Sequence, residues 1–222
     1  MPVTLLESLR ARRHSTGICS IAPEERKRPQ ATTRQRVRLA ITPIGPAVAP
    51  VLGYHSSVLL GRTEYTFSNV GVVQADGPLS HSTLSAETRF VDCGRQVVNT
   101  QTFEAVIYPL FAPGTYDLLR KNCNGFADCA VCLLTGSRLD KRYMQMEALG
   151  RWADEYLSVV QRLSGGRYSP NPKSNGWDVD LVASELGVAR QRLRCLPEEL
   201  TLSSGCAPEE HRLGGPRRVI AV

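Results

Sequence analysis

The sequence is short of several things, and each shortage narrows what the chain can be. No apolar run approaches the ~20 residues a bilayer-crossing helix needs, so no stable membrane insertion is expected. Glycine-rich phosphate loops are missing, which removes the usual cradle for a nucleotide. Only four histidines occur in 222 residues, at His14, His55, His81 and His211, leaving few groups that exchange a proton near neutral pH. Asp76, Asp92, Asp117 and Asp128 are scattered and form no carboxylate pair. Internal repeats are absent.

Cysteine, by contrast, is plentiful. Seven cysteines with no signal peptide and no regular spacing point to free thiols in a reducing compartment. The cytoplasm is expected, with the nucleus also open to a chain carrying Arg26-Lys27-Arg28. Cys123, Cys129 and Cys132 read C-x5-C-x2-C. Zinc would want four ligands, and no second C-x-x-C or histidine pair follows. Core packing is the better reading of Cys129 and Cys132, and neither a metal site nor a cofactor is expected.

The formal charge of +6 suggests nucleic acid until it is located. Residues 1–36 hold eight Lys/Arg against three acids, residues 37–150 nine of each, and residues 151–222 ten against nine. The basic excess therefore belongs to the N-terminal arm, and the presumptive core is neutral. A neutral core argues against a phosphate-binding face, so no nucleic-acid partner is expected.

Hydrophobic residues make up 42% of the chain, enough for one sizeable domain with appendages. Residues 1–36 are read as a basic, disordered arm. Val37 to Thr42 alternates as a strand, and Pro43, Pro46 and Pro50 then mark a loop. Tyr54 to Leu60 and Glu64 to Phe67 flank Gly61-Arg62-Thr63 as a hairpin. Asn69 to Ser82 reads as loop and Thr88 to Cys93 as a strand. Asn99 to Phe111 is a capped helix that Pro109 ends or kinks. Glu147 to Leu163 is an amphipathic helix with Leu149, Trp152, Tyr156, Val159, Val160 and Leu163 on one side. Ser164 to Gly176 is a linker by composition, Trp177 to Arg194 a further helix, and 196–222 a fraying tail.

The most informative stretch is Tyr116 to Gly136. Asn122 is a good N-cap, Gly136 suits the left-handed position past a helix end, and an apolar helical face lies between them. Cys123 then falls in the first turn, where unpaired amides and the helix dipole favour thiolate. That placement suits a nucleophile. A lone cysteine in a helix is otherwise a small buried hydrophobe, and a lone strand histidine is usually structural. His55 and Cys123 form a pair only if the fold joins them.

The order of these segments resembles the PPPDE family. The resemblance rests on Tyr54-His55-Ser-Ser-Val-Leu-Leu60, Glu64-Tyr-Thr-Phe67, Phe90-Val-Asp-Cys-Gly94, Tyr116-Asp-Leu-Leu119, Asn122-Cys-Asn124 with Phe126, and Leu134-Thr-Gly136. These are permuted papain-fold thiol peptidases that include desumoylating isopeptidases. The resemblance covers about Val37 to Ala148, and departs from the family pattern at Gly125, Ala127 and Ser68. It implies an α/β (α+β) fold, a small mainly antiparallel sheet packed against helices with the nucleophile at a helix N-terminus. Residues 37–148 would be the catalytic domain and 149–195 a helical extension containing the 164–176 linker.

The same resemblance implies a His55–Cys123 dyad resting partly as imidazolium and thiolate. It would remove a ubiquitin-like modifier, SUMO or ubiquitin, from lysine. Conjugates of such modifiers are the expected partners, and a homodimer is compatible with them. The backbone amide of Cys123 would be one oxyanion donor, with Asn122 or Asn124 as the second. Tyr54 and Tyr116 would wall the substrate groove. Two alternatives stay open. A thioesterase, acyltransferase or phospholipase of the lecithin-retinol-acyltransferase type would use the same pair, matching Asn122, Cys123 and Phe126. An inactive binding module would use neither residue.

Overall fold

The computed structural model describes residues 33–48 and 51–194. Residues 1–32 of the basic arm, with His14 and Arg26-Lys27-Arg28, and the tail from 196 onward, with His211, lie outside the described residues. Five strands form one antiparallel sheet: β1 (Thr33–Val48), β2 (Val51–Leu60), β3 (Thr63–Ser68), β4 (Gly71–Asp76) and β5 (Arg89–Val98). Their order across the sheet is β4-β3-β2-β1-β5. Five helices accompany them among the described residues: α1 (Thr100–Ile107), α2 (Cys123–Thr135), α3 (Gln145–Leu157), α4 (Val159–Leu163) and α5 (Val179–Arg194). The arrangement is the expected α+β fold.

Several elements differ from the sequence reading. β1 opens at Thr33, within the segment read as a disordered arm, and runs on through the proline stretch. Pro43 is tolerated there because β5 pairs with β1 only as far as Ile41↔Arg89, so beyond that point one edge of β1 needs no donor. The stretch read as loop between Asn69 and Ser82 contains β4 and a 3-10 turn at Leu79–His81. β5 continues to Val98 across a bulge in which Gly94 adopts φ 86° and its amide donates to Asp92 Oδ1.

The expected helix from Glu147 to Leu163 breaks at Ser158, which sits at φ 47° and separates α3 from α4. Its apolar side does not pack: Trp152 is 58% and Tyr156 73% exposed. The 164–176 stretch is not a free linker. Asp117, 3% exposed, accepts from Asn171 N at 2.8 Å, Ser174 Oγ at 3.2 Å and Tyr168 Oη at 3.2 Å. A carboxylate buried this deeply is tolerable only because so many donors meet it. They tie the C-terminal segment to the loop that leads into Cys123.

The core lies where α2 meets the sheet. Phe67, Phe111 and Phe126 are each at most 2% exposed, and the rings of Phe111 and Phe126 meet edge-on at 5.1 Å. Truncating such a buried ring to alanine costs about 3–5 kcal/mol. Cys129, 0% exposed, faces this packing, and Cys132, 5% exposed, is buried against α5 with its thiol donating to Ala183 O at 3.3 Å. This is the hydrophobic role expected of the C-x-x-C. β2 pairs with β3 only from Val58 to Leu60 but with β1 along most of its length. His55 and Ser56 therefore lie on a stretch of β2 paired on one side only.

Candidate active site

Asn122 fixes the place of Cys123. Its backbone is extended and its side-chain oxygen accepts from Gly125 N at 3.0 Å, so α2 begins at Cys123. Gly136, in the left-handed conformation at φ 82°, closes the helix. At the first helical position the sulfur meets backbone amides that no helical carbonyl occupies. The N–H groups of Ser56, Asn124 and Cys123 itself all act on it, pulling the thiol pKa down. From β2, His55 brings its Nδ1 to 3.3 Å from Cys123 Sγ.

Burial outweighs those amides. Cys123 is 7% exposed, and the loss of water pushes its thiol up to about 11, with the Glu147 carboxylate adding to the rise. Burial also lowers the His55 imidazole below its ordinary value, opposed by the charge of Glu64. Desolvation disfavours the charged form of both partners. These shifts favour a neutral thiol beside a neutral imidazole over the partly ionised pair that the resemblance implies.

The two asparagines come to the site but not as free donors. Asn122 Nδ2 donates to Leu118 O at 2.9 Å and to Glu147 Oε1 at 3.0 Å. Asn124 Nδ2 donates to Tyr54 O at 2.8 Å and also to Glu147 Oε1. A primary amide has two protons to give, and each is already committed. The structure therefore brings neither side-chain amide to the thiol as an oxyanion donor, and backbone amides remain for that task. Tyr54 meets Tyr143 edge-on at 5.0 Å. Tyr116 packs on Phe67 at 5.4 Å. Burial, then the neighbouring thiol, raise that phenol above its ordinary value.

A family model described as the PPPDE putative peptidase domain matches residues 30–161. The chain belongs to the PPPDE family. The match takes in all five strands and both members of the His55–Cys123 pair, and it gives the chain a peptidase-family function. Among curated proteins no relative matches the chain.

Around the His55–Cys123 pair of this PPPDE domain stand residues that sequence reasoning did not bring to the site. Ser80 Oγ lies 2.9 Å from His55 Nε2. Glu64, 0% exposed, accepts from Ser80 Oγ at 2.6 Å, Ser80 N at 2.9 Å and Ser57 Oγ at 2.6 Å. His81 packs against His55 with ring centroids 4.6 Å apart and the ring planes tilted by 49°, and its ring nitrogens lie 2.9 Å from Ser57 Oγ and 2.7 Å from Thr42 Oγ1. Burial, then the nearby His55, lower His81 to about 4, so it is neutral. Glu147 holds both asparagines with one oxygen, while its buried Oε2 has no partner. Among the described residues no group of three or more His, Cys, Asp or Glu is placed to hold a metal ion.

Proposed function

We propose that this PPPDE domain is a cysteine-type isopeptidase that releases a ubiquitin-like modifier from lysine, with Cys123 as nucleophile and His55 as its base. The observation that carries this reading is the 3.3 Å contact between His55 Nδ1 and a thiol seated at a helix N-terminus. Because both groups rest neutral, substrate entry triggers the transfer. Nδ1 takes the thiol proton as the sulfur attacks the carbonyl carbon of the modifier's last glycine. A C–S bond forms, and the negative charge moves to the carbonyl oxygen. Backbone N–H groups at the mouth of α2 are the donors placed to receive it.

Collapse of that intermediate breaks the C–N bond, and the imidazolium gives its proton to the departing lysine amine. Water then attacks the thioester with His55 again as base, freeing the glycine carboxylate and restoring the thiol. A tail ending in two glycines carries no side chains, which suits a nucleophile as enclosed as Cys123 and flanked by Tyr116 and Tyr54.

Purified protein incubated with ubiquitin and SUMO isopeptide conjugates tests this directly. Release of free modifier by the wild type, lost in Cys123→Ser, is the expected result. Turnover of acyl-thioester or lipid substrates with no modifier release would point instead to a lecithin-retinol-acyltransferase-like reaction on the same pair. Partner binding without turnover, unaffected by His55→Ala, would make the domain a binding module.

A further inference from the structure

Proton counting along the hydrogen-bonded chain behind His55 gives the dyad a direction. An ionised carboxylate only accepts, and a serine hydroxyl has one proton to donate. Ser80 and Ser57 both lie 2.6 Å from Glu64 Oε1, so both spend their proton on Glu64. Each hydroxyl then offers only lone pairs to its other neighbour. His55 Nε2, 2.9 Å from Ser80 Oγ, must carry a hydrogen, and its Nδ1 must be the bare nitrogen facing Cys123. The same logic places a hydrogen on His81 Nε2, which donates to Ser57 Oγ. His81 Nδ1 is left to accept from Thr42, and Thr42 in turn accepts from Thr88 Oγ1 at 2.8 Å.

We infer that Ser80, seated on the buried Glu64 carboxylate, is the positioning residue for His55: it holds the imidazole as the Nε2–H tautomer, with Nδ1 open to the Cys123 proton. The inference rests on the reading of His55 as the base for Cys123. When Nδ1 takes that proton, the ring becomes a donor at both nitrogens. Ser80 Oγ still accepts from Nε2, now with the Glu64 charge behind it, and no proton has to move to the carboxylate. Glu64 opposes the lowering of the His55 pKa by burial, as this arrangement requires. The adjacent backbone contact of Ser80 N to Glu64 Oε2 holds the hydroxyl in place from its own main chain. His81 faces the ring as a neutral group fixed by Thr42 and Ser57, and adds no competing charge.

Two-bond 15N–1H correlation spectra of the full chain report the tautomer without any substrate, the His55 signal being assigned by its loss in His55→Gln. Wild type is expected to show Nε2–H and a bare Nδ1. Glu64→Gln keeps the size of the side chain but lets an amide donate to Ser80, which turns the serine proton toward His55 and favours Nδ1–H. Should Glu64→Gln not fold, Ser80→Ala, at a partly exposed position, decides. Its rate of Cys123 alkylation near neutral pH is expected to fall about tenfold to a hundredfold, part of the ~10²–10⁴ a positioned base supplies. The His55 limb of its pH profile should shift as well, and Ser80→Thr should restore both. An Nδ1–H tautomer in wild type, or an unchanged pH profile in Ser80→Ala, would overturn the assignment. A wild-type Nε2–H tautomer in a protein that releases no modifier would support Ser80's role and sink only the substrate reading.

Discussion

Two carboxylates stand near the His55–Cys123 pair, Glu64 fully buried and Glu147 half-buried, and they are built differently. Glu64 is fully enclosed and meets three donors, from two serine hydroxyls and one backbone amide. Its influence reaches Cys123 through Ser80 and His55, a chain in which every hydrogen has one place to go. Glu147 comes from α3, gathers the amides of Asn122 and Asn124 on one oxygen, and leaves the other buried without a partner. Burial raises its pKa, the two asparagines only partly offsetting this. A satisfied buried network fixes geometry, whereas a half-satisfied one is where a small change in charge is felt most. On the proposed reading, Glu64 acts through the orientation of His55, while Glu147 adds to the rise that burial imposes on the Cys123 thiol.

The sharpest way to break this comparison is to cut the link that joins Glu64 to the sulfur. His55→Ala should lower kcat/KM for an isopeptide substrate by on the order of 10²–10⁴, while Glu64 keeps both serines and the fold survives by circular dichroism. Retained activity would mean that the Glu64 side does not serve the thiol. A smaller change is expected on the other side. Glu147→Gln removes a negative charge that raises the Cys123 pKa, so the pH midpoint of Cys123 alkylation should move down by up to about one unit. An unmoved or raised midpoint would show that Glu147 is only a clamp for the asparagines.

The smallest effect is on stability. His81 titrates at about 4 in the fold against 6.5 unfolded. A base whose folded pKa is depressed stabilises fully above the unfolded value and loses that contribution as pH falls from 6.5 towards 4. Glu147, whose folded pKa is raised, has the opposite slope and gains stability in acid. Asp76 and Asp92, lowered from 3.8, act below this window. Thermal midpoints measured from pH 7.5 to 4.5 should therefore fall, and fall more steeply in Glu147→Gln. A flat profile would contradict the neutral, buried His81.

How much of this was legible follows from how far each feature reaches along the chain. The α2 start needed only Asn122, Cys123 and Gly125, all within four residues, so capping chemistry sufficed to place it. His55 on β2 followed from the hairpin pattern, although its turn is shorter and its strand longer than the residues suggested. The relay was not legible. Glu64 sits in a strand whose four central residues are all buried, and a glutamate there reads as a solvent-facing position until Ser57 and Ser80 arrive from elsewhere. Ser80-His81 lay in a segment whose two glycines and one proline read as loop, and the turn that aims both side chains inward has no periodic signature. Glu147 was assigned to a helix by pattern, yet its hold on Asn122 and Asn124 arises from packing of α3 against β2. The asparagines' role as donors failed for the same reason: their acceptors lie at residues 54, 118 and 147.

The central claim is that Cys123, and no other thiol, is the nucleophile that His55 serves. The most direct measurement is intact and peptide mass spectrometry after exposure to ubiquitin and SUMO carrying a C-terminal propargylamide. A single adduct mapped to Cys123, much slowed in His55→Ala and absent in Cys123→Ser, is the predicted result. Labelling at Cys93, Cys129 or Cys132 instead, or no adduct with either modifier, would contradict it.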